Sequence, residues 1–352
     1  MNIPPYLQMD RKELLRRIGA MEQVAGIRLV EAGDGRARES RLLNVWTGTG
    51  LAFDIDVDRA LDIVGCHYRG IPLSWISPVG YVHPTYYDAR EENWLRSYQG
   101  GLFTTCGLDH FGRPVSANGQ DYVLHGRIDN LPAQELGYRA YWTELETGES
   151  TYAIEAAGTI RQTRVFGENI TLRRSISTHM GSNCIRIEDT VTNEGFVPQR
   201  HMFCYHCNIG YPLVSENSRL HLDTLETRPH DEHSASGLNT WDTQQRPTAN
   251  YAEQNFWHDP VADENGAVHV TLENPDLGLG LGWTYKKAQL PVLLQWKMMG
   301  EGTYLMGIEP CNTLGASGHA AVRESDIPRL APKESRSYVL ELEVTDFSSP
   351  TK

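Results

Sequence analysis

Long apolar runs, clustered basic charge and cysteine are what this 352-residue sequence has least of. No apolar segment approaches the roughly 20 residues needed to span a bilayer, and the N-terminus lacks the basic-then-apolar order of a secretion signal. We therefore expect a soluble, cytoplasmic protein with no membrane partner. The formal net charge is −13 and no group of lysines or arginines offsets it. A phosphate backbone would be repelled over most of such a surface, so nucleic acid is not an expected partner. The six cysteines (Cys66, Cys106, Cys184, Cys204, Cys207, Cys311) are few and scattered. They read as reduced thiols packed as small hydrophobes rather than as a disulfide framework. Internal repeats, low-complexity tracts and a Gly-x-Ser-x-Gly nucleophile elbow are missing as well, which removes repeat architectures and the usual serine hydrolases.

What remains is the punctuation of an all-β chain. A helical pattern over about 10–24 (Asp10 as cap, Glu13 three residues on, then Leu14, Ile18 and Met21) is the only convincing one near the N-terminus. We expect residues 1–30 to form a helical extension and 31–352 a single domain. Beyond it, short alternating or β-branched segments are separated by turns such as Gly33-Asp-Gly35, Gly48-Thr-Gly50 and Gly167-Glu-Asn169. Strands are expected at 41–46, 51–57, 168–177, 184–192, 201–207, 267–272, 292–298 and 336–344, enough to fill stacked or curled sheets. The proline- and tryptophan-containing stretch from 70 to 120 reads as long ordered loops. The polar stretch from 215 to 262 reads as an excursion from the core, of a length that lines or covers a site.

Several motifs invite chemistry and do not support it. The alternating glycines of Leu277-Gly-Leu-Gly-Leu-Gly-Trp283 share one face of a strand and precede no helix, so a glycine-faced strand is the better account than a phosphate loop. Cys204 and Cys207 have the spacing of a zinc or redox pair. In a strand, however, positions three apart point to opposite faces and cannot share a metal. His230-Asp-Glu-His233 reads as a solvated charged loop. No metal and no cofactor is expected.

Three residues stand out differently. Glu309 ends the apolar run Thr303–Cys311, with Gly307 on its own face removing bulk beside it and Pro310 expected to stop the strand. A carboxylate so placed would be desolvated and its pKa raised. His125 ends an apolar lead at Leu124-His-Gly126, followed by the planar donor fork of Arg127. His206 shares a strand face with Met202, Cys204 and Asn208, where a strand leaves the core for a cleft. Together they supply groups suited to general acid/base work near neutral pH.

In this order the motifs Leu124-His125-Gly126, Tyr205-His206 leading to Tyr211-Pro212-Leu213, and Ile308-Glu309-Pro310 resemble those of the aldose 1-epimerase, or galactose mutarotase-like, family. Arg127 stands where that family usually has a second glycine, as in a divergent branch. The resemblance implies a β-supersandwich and an enzyme that interconverts the anomers of a free sugar or sugar derivative. Glu309 would remove the anomeric hydroxyl proton and His206 would protonate the ring oxygen. His125 and Arg127, with Gln295 and Lys297, would bind substrate, and Trp94 and Trp296 would pack against it. The expected partner is a small-molecule sugar, with a homodimer left open. The alternatives are a non-catalytic carbohydrate-binding protein and another sugar isomerase, epimerase or lyase on the same scaffold.

Overall fold

A computed structural model describes residues 4–117, 119–144, 148, 150–315 and 321–347. Three antiparallel sheets carry most of them. The largest has eight strands, in the order Ala133–Glu144, Ser150–Thr163, Asn169–His179, Cys184–Asn193, Ser335–Asp346, Leu279–Lys286, Ala267–Asn274 and Arg219–Leu222. A six-stranded sheet runs Thr224–Pro229, Gln254–Pro260, Val292–Gly300, Thr303–Cys311, Cys204–Gly210 and Phe103–Cys106. A five-stranded sheet is built from residues 26–72. This is the β-supersandwich expected from the sequence.

The strands form because their side chains alternate. In Ser150–Thr163, Tyr152, Ile154, Ala156 and Ile160 point inward while their neighbours stay partly exposed, the pattern of a sheet wet on one face. One continuous core joins the inner faces of all three sheets, with Leu43 and Phe53 from the smallest, Ile154, Leu172 and Leu340 from the largest, and Tyr205, Met306 and Ile308 from the six-stranded sheet. Thr303–Cys311 differs in being buried on both faces from Leu305 onward, which accounts for its nearly unbroken apolar character.

A buried ionic cluster pins the three sheets together. Arg174 of the large sheet, fully buried, holds Asp189 through Nε and Nη2 (2.9 and 2.7 Å) and Asp62 of the five-stranded sheet through Nη1 (2.7 Å). Asp62 in turn accepts from the Thr105 amide (2.8 Å) and hydroxyl (2.5 Å) in the six-stranded sheet. The Tyr205 hydroxyl donates to Asp189 at 2.7 Å. Thr105 and Tyr205 are register partners, one residue before His206, so this cluster fixes the strand that carries the histidine.

Several sequence expectations are corrected. Asp10 does cap a helix, accepting from the Glu13 amide at 2.8 Å, but that helix spans only Arg11–Leu15 and a 3₁₀ turn follows at Met21–Gln23. The strand Gly26–Glu31, which overlaps the stretch expected as an extension, belongs to the five-stranded sheet. Pro310 does not stop its strand, which runs to Cys311; a missing N–H is tolerated one residue from the end. The polar stretch 215–262 contributes Thr224–Pro229 and Gln254–Pro260 to the six-stranded sheet. The edge strand Thr224–Pro229 can be polar, while Phe256, Trp257 and His258 are buried on Gln254–Pro260, which is paired on both sides.

Candidate functional site

One face of the six-stranded sheet meets the loop segments 92–98 and 112–125. Between them lies a cleft of about 260 Å³ lined by Trp94, Tyr98, His125, His206, Trp296 and Glu309, among others. That is near the roughly 300 Å³ lower end of small-molecule sites.

Strand register brings the acid and the histidine together. Cys204–Gly210 pairs with Thr303–Cys311, and side chains of one phase on both strands look into the cleft. His206 Nε2 lies 3.4 Å from Glu309 Oε1, with the two side chains 7% and 1% exposed. Gly307 makes room for this contact: a Cβ there would lie 2.7 Å from Glu309 Oε1 and 2.8 Å from Trp296 Cβ. The other carboxyl oxygen faces only the weak Cys204 thiol donor at 3.8 Å, and Oε1 has no hydrogen-bond partner. Cys207, three residues from Cys204, points into the main core instead, so the two sulfurs lie on opposite faces as the strand period requires.

Desolvation dominates the electrostatics here. Burial pushes the Glu309 carboxyl well above the usual carboxylate range and lowers the His206 imidazole to about 4. Both shifts favour the uncharged forms, a carboxyl and a neutral imidazole.

His125 completes the wall. Its ring centroid is 4.8 Å from that of Trp94 and 5.3 Å from that of His206. Desolvation, aided by the neighbouring His206, holds it well below the ordinary imidazole pKa, and its Nδ1 has no partner. His125 and Gly126 both have positive φ (56° and 82°). A Cβ on Gly126 would meet the Gly107 carbonyl oxygen at 2.1 Å, so only glycine allows the turn. Trp94 is anchored through Nε1 to Asp129 (2.9 Å) and stacks on Tyr98 with centroids 4.2 Å apart. Trp296 meets His206 edge-on at 5.5 Å.

Three residues expected to bind substrate lie elsewhere. Gln295 and Lys297 are buried on the opposite face of the sheet, because register places Leu294 beside Glu309 and Trp296 beside Gly307. The Gln295 amide donates to the Trp241 carbonyl (2.7 Å) and its oxygen meets His258 Nε2 (3.1 Å). Lys297 Nζ donates to the Thr240 carbonyl (2.7 Å), and burial lowers its pKa to about 8. Arg127, beyond the tight turn at Gly126, is exposed and does not line the cleft. The sequence reading missed Tyr98, Glu92, Arg113, Glu253 and Asn255, all of which line the cleft. His230 and Asp231 line it too, with Asp231 capping the short helix Glu232–Ala235 by accepting from the Ser234 amide at 2.7 Å.

Residues 37–344 match the family described as "Domain of unknown function (DUF4432)". The chain belongs to the DUF4432 family. No curated protein matches it. Among solved structures, this DUF4432 chain is similar to a "putative aldose 1-epimerase" from Klebsiella pneumoniae (26% identity, 92% of this chain and 84% of that one, TM-score 0.84). It also resembles a galactose mutarotase-like protein from Clostridium acetobutylicum (14%, 92% and 99%, 0.62) and galactose 1-epimerase from Lactobacillus acidophilus (11%, 91% and 99%, 0.59). The last two likenesses establish the galactose mutarotase-like fold.

Proposed function

We propose that this protein is an aldose 1-epimerase-like isomerase, which interconverts the anomers of a free sugar or sugar derivative by acid/base ring opening. The observation that carries this reading is the Glu309–His206 contact in the wall of the cleft, with one carboxyl oxygen unpartnered.

The chemistry fits the spacing. Opening a cyclic hemiacetal requires one proton to reach the ring oxygen and one to leave the anomeric hydroxyl. Both oxygens sit on the same carbon, so a donor and an acceptor side by side serve them together. Rotation about C1–C2 and closure by the reverse transfers give the other anomer. Sugar rings open in water unaided, and paired general acid/base catalysis worth about 10²–10⁴-fold suffices to accelerate the step. Trp94, Trp296 and His125 supply flat apolar walls for the sugar's C–H faces.

The test is anomer exchange followed by polarimetry or NMR over a panel of aldoses, with wild type, Glu309→Gln and His206→Asn. Acceleration by the wild type that both substitutions abolish is the expected result. A folded wild type that accelerates exchange of no sugar sinks the proposal. Uptake of solvent deuterium at a carbon position would instead indicate isomerisation or epimerisation at another carbon.

A further inference from the structure

The Trp94 wall is held from behind by one guanidinium. Arg59 lies in the turn between the strands Leu51–Asp56 and Asp62–Tyr68 and is only 2% exposed. Its Nε donates to the Val82 carbonyl at 2.8 Å, Nη2 to the Ser97 carbonyl at 3.0 Å and Nη1 to the Asp129 carbonyl at 3.4 Å. These acceptors lie on three separate stretches outside the sheets: Val82 ahead of the wall, Ser97 at the end of the 3₁₀ turn that carries Trp94, and Asp129 just past the His125–Gly126 turn. A planar fork with five N–H groups can serve carbonyls spread in this way, whereas an ammonium is a point.

The backbone and the indole of Trp94 are both referred to this group. The Ser97 amide and hydroxyl donate to the Trp94 carbonyl at 3.0 and 3.2 Å, and Ser97 passes its own carbonyl to Arg59. On the side chain, Asp129 Oδ2 accepts from Trp94 Nε1 at 2.9 Å and faces Arg59 Nη1 at 3.6 Å, so a single oxygen ties the indole to the guanidinium. The ring so held stacks on Tyr98 and meets His125.

We propose that Arg59 and Asp129 are positioning residues that set the place of the Trp94 ring and thereby the width of the slot that receives the sugar. The proposal rests on the anomer-exchange reading for its substrate, and on the hydrogen bonds alone for the placement of the ring. Neither residue lines the cleft, so both act on the sugar through Trp94. A displaced ring loses contact with the sugar equally in the ground and transition states, and the effect therefore falls on KM rather than on kcat.

The deciding experiment is a double-mutant cycle read in anomer exchange, with Asp129→Ala, Trp94→Phe and the pair. Phenylalanine keeps an aromatic face but has no Nε1. Asp129→Ala should raise KM about tenfold, the worth of one lost hydrogen bond, with kcat within about twofold, and should add nothing in the Trp94→Phe background. Asp129→Asn can place its carbonyl oxygen where Oδ2 stands and should keep the wild-type KM, while Arg59→Lys should raise it. Additive losses in KM, a fall in kcat at constant KM, or an Asn variant as impaired as the Ala one overturn the proposal. Should Asp129→Ala not fold, indole ¹H–¹⁵N NMR decides without sugar, the Trp94 signal being assigned by its loss in Trp94→Phe. A protected Nε1–H whose shift moves in Asp129→Asn is expected, and one that exchanges freely in the wild type or ignores that substitution overturns the proposal. A protected, Asp129-sensitive indole in a wild type that exchanges no sugar would refute the function and spare the tie.

Discussion

Two groups of buried ionisable side chains border the same strand, Cys204–Gly210, and they are wired in opposite ways. Around Arg174 the paired carboxylates are met by a guanidinium, a hydroxyl or an amide, and the whole is sealed from water. Around Glu309 the paired groups leave one carboxyl oxygen bare, and nearby His125 keeps an unpartnered nitrogen. Complete satisfaction yields a rigid joint between sheets. A deficit of partners, kept beside a cleft, yields groups ready to trade protons with whatever enters.

The sharpest break of that contrast is Glu309→Gln. It should cost the exchange rate about 10²–10⁴-fold while thermal stability holds or rises, because a desolvated acid is removed; calorimetry beside polarimetry checks both. Arg174→Met should do the reverse, lowering stability by about 3–5 kcal/mol by stranding two carboxylates, as read by urea unfolding. Gly307→Ala sits between the two: its methyl would displace the carboxyl, slowing exchange, and overpacking should cost about 1–3 kcal/mol.

Acid should also separate the clusters. His110, His201, His206 and His258 are pushed down to about 4 by burial from an ordinary 6.5. Between these values the unfolded chain binds more protons than the folded one, so stability should fall as pH drops from 6.5 toward 4. Glu309 acts with the opposite sign, its raised pKa removing stability as pH climbs above its ordinary 4.5. A pH series of unfolding midpoints should therefore show a shallower acid loss in His206→Asn, and a steeper gain from pH 4.5 upward in Glu309→Gln. The smallest effect belongs to Arg127→Ala, exposed and outside the cleft, which should move stability by no more than about 0.5 kcal/mol and leave exchange unchanged.

The parts of the candidate site set by one short local stretch, two on strands and His125 on a turn, were legible in the chain. Glu309, His206 and His125 each announced themselves as a polar residue closing an apolar run, and Gly307 as the space beside the acid. Register was not legible. Period two tells which residues share a face, but only the pairing of Leu294 with Glu309 tells that Gln295 and Lys297 look away from the cleft. Tyr98, Glu92 and Arg113 come from loops whose path no local pattern fixes. A usable signal for the ionic joint did exist: Leu172, Arg174 and Ile176 fall on one face, and a charged residue in the buried phase of a strand requires buried partners.

A row of sulfur runs through the buried cluster beside Glu309. Cys106, Cys204 and Cys311 lie abreast on three adjacent strands, all buried, and the nearest thiol is too weak a donor to hold the carboxyl. A serine hydroxyl in place of the Cys204 thiol would be a stronger donor toward Oε2 and would favour the anion. The thiol fills the space with almost no grip, so the acid is held in place by packing and is left without a partner that would draw off its proton.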